Sequence, residues 1–475
     1  MLLTLTMFAL AVDPAPLIDD ALTAWNVPGV AVVIVDGERT LYLAGHGLRE
    51  AGKPERITAE TVFPLASCTK AFTTAILASL VDEKKLAWDD PVRKHLRDFH
   101  LSDPHADADV RIDDLVAHRT GVAPHDLLWY RAAWDQDEMI RRLAFLPLDK
   151  PFRTAMQYQS VMFMAAGKAA SNAAGKPWAD LMTERLLTPL EMKNATLTTL
   201  KLPTDCAMPH TEFDGKLTAG EWYAMKVPDP AGSLNCSASD LAPWLRLQLN
   251  DGKHGGRQLI SAANLAHTRR PHVVIPVDEG TRKNHPFTKQ MSYGMGWVIQ
   301  DYRGELLVSH GGVIDGFRAH ITLIPEKKFA LAILSNREQT RMNQALSNML
   351  VDQFLEAPKY DWNKHYGDIV SAEAFAARQS RVQAERQRRQ GTSPTLALAD
   401  YVGEYTHPAY GAATVSLKDG SLTLSWSTFT GSLKHWQDDV FRANDEELGR
   451  TPVIFHVEQG KSAALTAVGT RFVRK

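Results

Sequence analysis

Strand-like sequence lies at both ends of a long segment of this chain, with about 230 residues of helix and loop between. "GVAVVIVDGERTLYLAGHG" (residues 29–47) holds two apolar runs around Asp36-Gly37, a hairpin signal. Far downstream, "YGMGWVIQDYRGELLVSHGG" (293–312) and "RAHITLIPEKKFALAILSN" (318–336) repeat the pattern. Their turns fall at Arg303-Gly304 and at Pro325-Glu326-Lys327-Lys328. "PLIDDALTAW" sets Leu17, Ile18, Ala21, Leu22 and Trp25 at helical spacing, and "MNQALSNMLVDQFL" does so with Met342, Leu346, Met349, Leu350 and Phe354. The simplest assembly is α+β: one antiparallel sheet built from both ends, flanked by the first and last helices, with the middle as an inserted helical subdomain. A crevice between sheet and insert is a usual place for a site.

The chain is 475 residues long, too long for one ordinary core. Residues 12–356 form the sheet-bearing domain on this reading. The character changes after Glu356: residues 357–396 are charged and helix-prone, and read as a solvated linker. From 397 to 475 the chain is strand-like again. "SLTLSW" alternates Leu422, Leu424 and Trp426, and "VIFHV" alternates Val453, Phe455 and Val457. Some eight such runs fit a small all-β barrel. Residues 1–11 are apolar and end in Ala9-Leu10-Ala11, as an export signal does, although no Lys or Arg precedes the run. This favours a periplasmic or secreted protein, with the cytoplasm as the alternative. No run is long and apolar enough to span a bilayer.

A net charge of -2 removes the basic signature of a nucleic-acid binder. Cys68, Cys206 and Cys236 lie far apart, which suggests neither a zinc knuckle nor a disulfide framework. Cys68 reads as a small buried neighbour of Ser67. "GLREAGKP" (47–54) nearly matches a phosphate-binding loop, but Pro54 supplies no hydroxyl, so a hairpin exit is the better reading. "DPHADADVRIDD" (103–114) lacks the Gly and terminal Glu of a calcium loop and reads as surface loop. Neither H-E-x-x-H nor G-x-S-x-G occurs.

Ser67 stands at or just before the first turn of the helix that "CTKAFTTAILASLVDE" predicts, with Phe72, Ile76 and Leu80 on one stripe. Its hydroxyl could cap that helix, with Lys70 in solvent. The other reading is chemical. Residues i and i+3 share a face, and the helix N-terminus favours an alkoxide at Ser67. A Lys in the same turn meets the unfavourable end of the dipole, and burial penalises its charged form, which suits a base. Tyr158 stands just before an apolar helix. His310-Gly311-Gly312 ends an apolar strand, where two glycines let a ligand approach the backbone.

Ser67-Cys68-Thr69-Lys70, Tyr158-Gln159-Ser160 and His310-Gly311-Gly312 resemble the three ordered motifs of the class C β-lactamase and penicillin-binding-protein superfamily. Those motifs are S-x-x-K, Y-x-N and K-[ST]-G, the last often H-x-G in family VIII esterase and D-aminopeptidase relatives. Flanking stretches such as "LVAHRTGVAPHDLLWY" and "PAGSLNCSASDLAPWL" are similar too, over roughly residues 15–355. The tail from Tyr401 more weakly resembles the lipocalin-like barrel that some of these hydrolases carry. The resemblance implies Ser67 as nucleophile, Lys70 and Tyr158 as the base, and the backbone N–H groups of Ser67 and Val313 as the oxyanion hole. Ser160, His310, Gly311 and Gly312 would bind substrate. No metal or organic cofactor is needed.

Two departures bear on substrate. Ser160 stands where Asn is usual and lacks the amide's fork. His310 stands where lactamases carry Lys, and a neutral imidazole attracts a carboxylate poorly. Arg318 is the one nearby residue that could restore a charge, if its strand turns it inward. The resulting expectation is a serine esterase or peptidase/amidase acting on small esters, amides or short peptides. A β-lactamase or D-Ala-type cell-wall peptidase, and a non-catalytic binding relative, are the alternatives. The sequence leaves a homo-oligomer open.

Overall fold

The computed structural model describes residues 13–213 and 215–475, so the export-like segment 1–11 lies outside the described residues. Two compact units divide the described chain. The first takes residues through Arg97, Asp109–Ala123 and Asp149–Ser371; the second takes Asp98–Ala108, Pro124–Leu148 and Ala372–Lys475.

In the first unit the two strand-rich ends meet in one eight-stranded antiparallel sheet. Its main strands are β1 (Gly29–Asp36), β2 (Thr40–Gly47), β3 (Val273–Ile275), β4 (Met291–Tyr293), β5 (Val298–Tyr302), β6 (Glu305–Ile314), β7 (Phe317–Ile324) and β8 (Phe329–Ser335). The order is β2-β1-β8-β7-β6-β5-β4-β3, so the first hairpin pairs with the last strand. In β1 and β8 nearly every residue is buried, which explains why both read as unbroken apolar runs.

Each face has its own cover. Val30, Val32, Ile34, Leu331 and Ile333 pack with helix α1 (Ala15–Trp25) and the helix Met342–Phe354. The helix Ala238–Leu249 lies against β1 and β8. Asp352 sits in the first of these layers and accepts hydrogen bonds from Tyr302 Oη, Arg303 Nε (2.8 Å) and Trp362 Nε1 (2.8 Å), which satisfy its buried carboxylate.

Strand β6 outruns its neighbour. Pairing with β5 stops at Ser309, whereas pairing with β7 continues to Ile314. Residues 310–314 therefore present one unpaired ladder edge, where the two glycines lie.

The acidic stretch 103–114 is not surface loop throughout. Short helices cover Pro104–Asp109 and Ile112–Val116, and Asp114 is fully buried. It is stabilised there by Arg119 Nε at 2.6 Å and by Arg153 Nε at 2.8 Å.

The second unit holds a closed eight-stranded barrel between Gly403 and Arg474, its first and last strands paired. Closure removes free edges. Leu422, Leu424 and Trp426 point inward as expected. Val457 does not complete its alternation, because a bulge between His456 and Val457 shifts the register. Residues 124–148 belong to this unit: Trp134 meets Trp426 edge-on and Arg142 donates to the Ala409 carbonyl. The charged stretch after Glu356 forms the helix Trp362–Gln387, whose Trp362, Tyr366 and Ile369 are buried and whose remainder is largely exposed.

Candidate active site

Ser67 occupies a 3-10 turn, Ala66–Cys68, that runs straight into helix α2 (Thr69–Asp82). Ala66 carries φ 46°, a left-handed backbone that costs a non-glycine residue roughly 1–2 kcal/mol. Neighbours hold it there. Leu65 N donates to Leu234 O at 2.8 Å, and Cys68 Sγ to His310 O at 3.2 Å. Neither the turn nor α2 has a side-chain cap bond, so the capping reading of Ser67 fails. The expected stripe of α2 is in fact a helix buried on all sides from Thr69 to Leu80, as befits a central helix.

Lys70 is fully buried and aimed at Ser67. Its Nζ lies 3.2 Å from Ser67 Oγ, 3.0 Å from the Ala231 carbonyl and 3.5 Å from Ser160 Oγ. Three oxygens thus surround a group with three N–H donors. The Ala231 loop is itself tied to α2, since Thr73 Oγ1 donates to Pro230 O at 2.7 Å.

Tyr158 is brought to the same place, with Lys70 Nζ 4.8 Å from its ring centroid. Ser160 begins the helix Ser160–Ala174. A loop that no motif marks fixes this corner. Gln159 N donates to His118 Nδ1 at 3.1 Å, and Thr120 Oγ1 donates to Gln159 Oε1 at 2.9 Å. The His118 ring packs 4.4 Å from that of Tyr158. Burial first, then the Lys70 cation, hold His118 well below the usual histidine range, so it is neutral.

His310 faces Ser67's side of the sheet. Its Nδ1–H donates to Gly311 O at 2.7 Å, so Nε2 accepts from Tyr293 Oη at 2.9 Å. Burial first, then Lys70, hold its pKa down to about 3. It is therefore an uncharged imidazole at neutral pH. Gly312 lets the strand approach the Ser67 turn: a Cβ there would stand 2.1 Å from Leu65 O and 3.2 Å from Ser67 N. Gly311 faces away, and a Cβ on it would make only ordinary contacts, the nearest 3.7 Å from His320 Nδ1. Val313, on the same side as Gly311, has an exposed side chain, and its backbone lies on the open stretch of β6. Arg318 pairs with Val313 across the ladder and shares its face, so it brings no charge to Ser67. Cys68 is buried and its thiol is pushed by that burial up to about 12, which leaves it inert beside Ser67.

Ser67 on its turn, a buried lysine and an open strand edge are thus gathered on one side of a helix-flanked antiparallel sheet. The Beta-lactamase family model matches residues 15–356, well over half of the chain. The chain belongs to the beta-lactamase family. It is a serine hydrolase of that family. A Domain of unknown function (DUF3471) model matches residues 387–472, so the barrel of this beta-lactamase-family chain corresponds to that domain. The unguisins hydrolase of Aspergillus violaceofuscus is 29% identical, covering 92% of this chain and 83% of that protein. The octameric penicillin-binding protein homologue from Pyrococcus abyssi shares the fold at TM-score 0.65 and 18% identity, over 97% of this chain and 99% of that one. The D-amino acid amidase from Ochrobactrum anthropi SV3 matches at TM-score 0.59 and 23% identity, over 72% of this chain and 96% of that one. In this family member no described helix is long and apolar enough to cross a membrane.

Proposed function

We propose that the chain cleaves small esters and amides, short peptides among them, through an acyl-enzyme on Ser67. The observation that carries this is the 3.2 Å approach of a fully buried Lys70 Nζ, in the first turn of α2, to Ser67 Oγ on the turn that leads into it. Ser67 Oγ attacks the substrate carbonyl carbon, and its proton passes to the Lys70–Tyr158 pair. The oxygen that gains the electron pair sits between the N–H groups of Ser67 and Val313. Collapse of that adduct expels the alcohol or amine, which takes the proton back. Water then repeats the sequence on the acyl-enzyme and releases the acid.

The nature of His310 favours this substrate class over carboxylate-bearing β-lactams and C-terminal D-Ala peptides. A neutral imidazole pinned by Tyr293 and its own backbone offers no cation at that position. The name of one structural neighbour, a D-amino acid amidase, makes amides worth testing beside esters.

The test is intact-protein mass after fluorophosphonate treatment, wild type beside Ser67→Ala, followed by rates on nitrophenyl esters, D-amino-acid amides and nitrocefin. One adduct on wild type alone, with esters or amides turned over faster than nitrocefin, is expected. Labelling of the Ser67→Ala protein would remove the nucleophile assignment. Nitrocefin turnover matching the best ester or amide would instead favour the β-lactamase reading.

A further inference from the structure

Lys70 Nζ meets a carbonyl that other residues must hold in place. That carbonyl is Ala231's, 3.0 Å away, and it belongs to a buried loop, residues 229–234. A backbone carbonyl takes no part in proton transfer and acts on Lys70 only through where it points. How the loop is fixed therefore bears on how Lys70 is aimed.

Two threonines of α2 grip the loop on either side of Ala231. Thr73 Oγ1 donates to Pro230 O at 2.7 Å, and Thr69 Oγ1 accepts from Leu234 N at 3.1 Å. Residues i and i+4 share a helix face, so the two stand one turn apart. Both are fully buried. The other hydroxyls of α2 behave differently. Thr74 Oγ1 turns back to Ala71 O at 2.9 Å and Ser79 Oγ to Ile76 O at 2.7 Å, the ordinary local bond of a helical hydroxyl. Thr73 instead reaches out of its helix.

The loop is also closed from its own side. Asp229 Oδ1 accepts from Ala231 N at 2.7 Å, and Ser233 Oγ accepts from Asp229 N at 2.8 Å. The planar peptide between Pro230 and Ala231 is thus held at both ends, its oxygen by Thr73 and its N–H by Asp229. The next peptide carries the Ala231 carbonyl, and its N–H, that of Gly232, donates to Asp229 O at 3.3 Å. The helix Ser160–Ala174 backs the turn. Pro230 sits where Gly167 leaves room, since a Cβ on Gly167 would stand 2.2 Å from Pro230 Cγ.

We propose that Thr73 and Asp229 are positioning residues for Lys70: they pin the peptide before the Ala231 carbonyl, keep that oxygen on Nζ, and so leave Nζ directed at Ser67 Oγ. This role rests on the reading of Lys70 as part of Ser67's base. A fixed acceptor also favours the charged form that Lys70 adopts once it holds the proton. The titratable groups that meet Lys70 from neighbouring elements are Tyr158, His118, His310 and Cys68, and the imidazoles and the thiol are uncharged at neutral pH.

The rate of fluorophosphonate labelling of the full chain, read by intact mass at stepped pH, tests this. In Thr73→Val the plateau rate should fall about tenfold or more. The midpoint of its rise with pH should move down by about one unit, because the charged lysine loses an acceptor. Thr73→Ser keeps the hydroxyl and should restore both. Thr74→Val removes an equally buried hydroxyl that bonds only within the helix, and should change neither. A wild-type adduct with Thr73→Val matching it in plateau and midpoint overturns the proposal alone. So does a slower plateau with an unmoved midpoint, or an equal loss in Thr74→Val. No adduct on folded wild type overturns the Ser67 reading and this role with it. Should Thr73→Val fail to fold, Asp229→Ala decides from the loop's side. The same two changes there support the role, and labelling like wild type overturns it.

Discussion

The two faces of strands β6 and β7 make opposite uses of the same backbone. Toward Ser67 lie His310, Gly312, Ala319 and Ile321: crowded, with one neutral imidazole hydrogen-bonded on both nitrogens. On the far side lie Ser309, Gly311, Val313, Arg318 and His320, which line a cavity and include one guanidinium beside a neutral imidazole. Adjacent residues of one strand thus meet different solvents and different chemistry. A neutral imidazole, not a Lys, stands at position 310 on the Ser67 side, and Arg318 on the neighbouring strand faces the other way.

The sharpest break of this comparison is Ser67→Ala. On the proposed mechanism it removes the attacking oxygen and leaves only binding and the backbone donors, so turnover of the best ester should fall by about 10⁴-fold or more. The far face is untouched, and the unfolding midpoint should stay within a degree or so. Turnover within about tenfold of wild type would sink the assignment.

The two glycines give the next contrast. Gly312→Ala puts a methyl 2.1 Å from Leu65 O and must displace the Ser67 turn, for which a loss of about 10²-fold in kcat is expected. Gly311→Ala meets nothing closer than 3.7 Å and should cost at least about tenfold less than its neighbour. Equal losses would mean that side-chain direction on β6 is not what separates the faces.

Acid stability reads the Ser67 side by another route. His310 titrates about 3 in the folded protein against an ordinary 6.5 in the unfolded chain. As pH falls below about 6.5 the unfolded chain takes up a proton that the folded protein refuses. Stability from this group is therefore fully present above 6.5, declines toward about 3 and then levels off. His310→Gln should reduce the slope of unfolding free energy against pH by about 1.4 kcal/mol per unit in that window. Denaturant titrations at stepped pH read it, and an unchanged slope would count against a neutral His310. Tyr293→Phe is the mildest change. It removes one buried donor to His310, and about 1 kcal/mol of stability should go with it. A thermal melt that does not move would mean that the Tyr293–His310 bond contributes nothing net.

Much of this was legible in the residues. Unbroken apolar strands at both ends of a segment need cover on both faces, and β1 and β8 have it. Ser67, Lys70, Tyr158, Ser160 and His310 sit in ordered short motifs that the residues alone display. Gln159 within a motif and His118 and Thr120 in a flanking stretch give no such sign of their positioning parts. His118, Thr120 and Gln159 act through one loop's backbone and ring packing. Lys70 meets Ala231 through a carbonyl, which every residue possesses. The side on which Arg318 falls depends on the parity of a strand, and a one-residue slip reverses it. Charge in 103–114 suggested water, but Asp114 is buried because Arg119, five residues on, and Arg153, remote in sequence, neutralise it.

Ser67 and Lys70 lie within one stretch of four residues, whereas Tyr158 and His310 arrive from remote parts of the chain. The spacing of the first two is a local property of α2 and its leading turn. In a gradual denaturant ramp, a small electrophile should go on modifying Ser67 after substrates have ceased to turn over. Such a lag would time the loss of the remote partners separately from the melting of the helix itself.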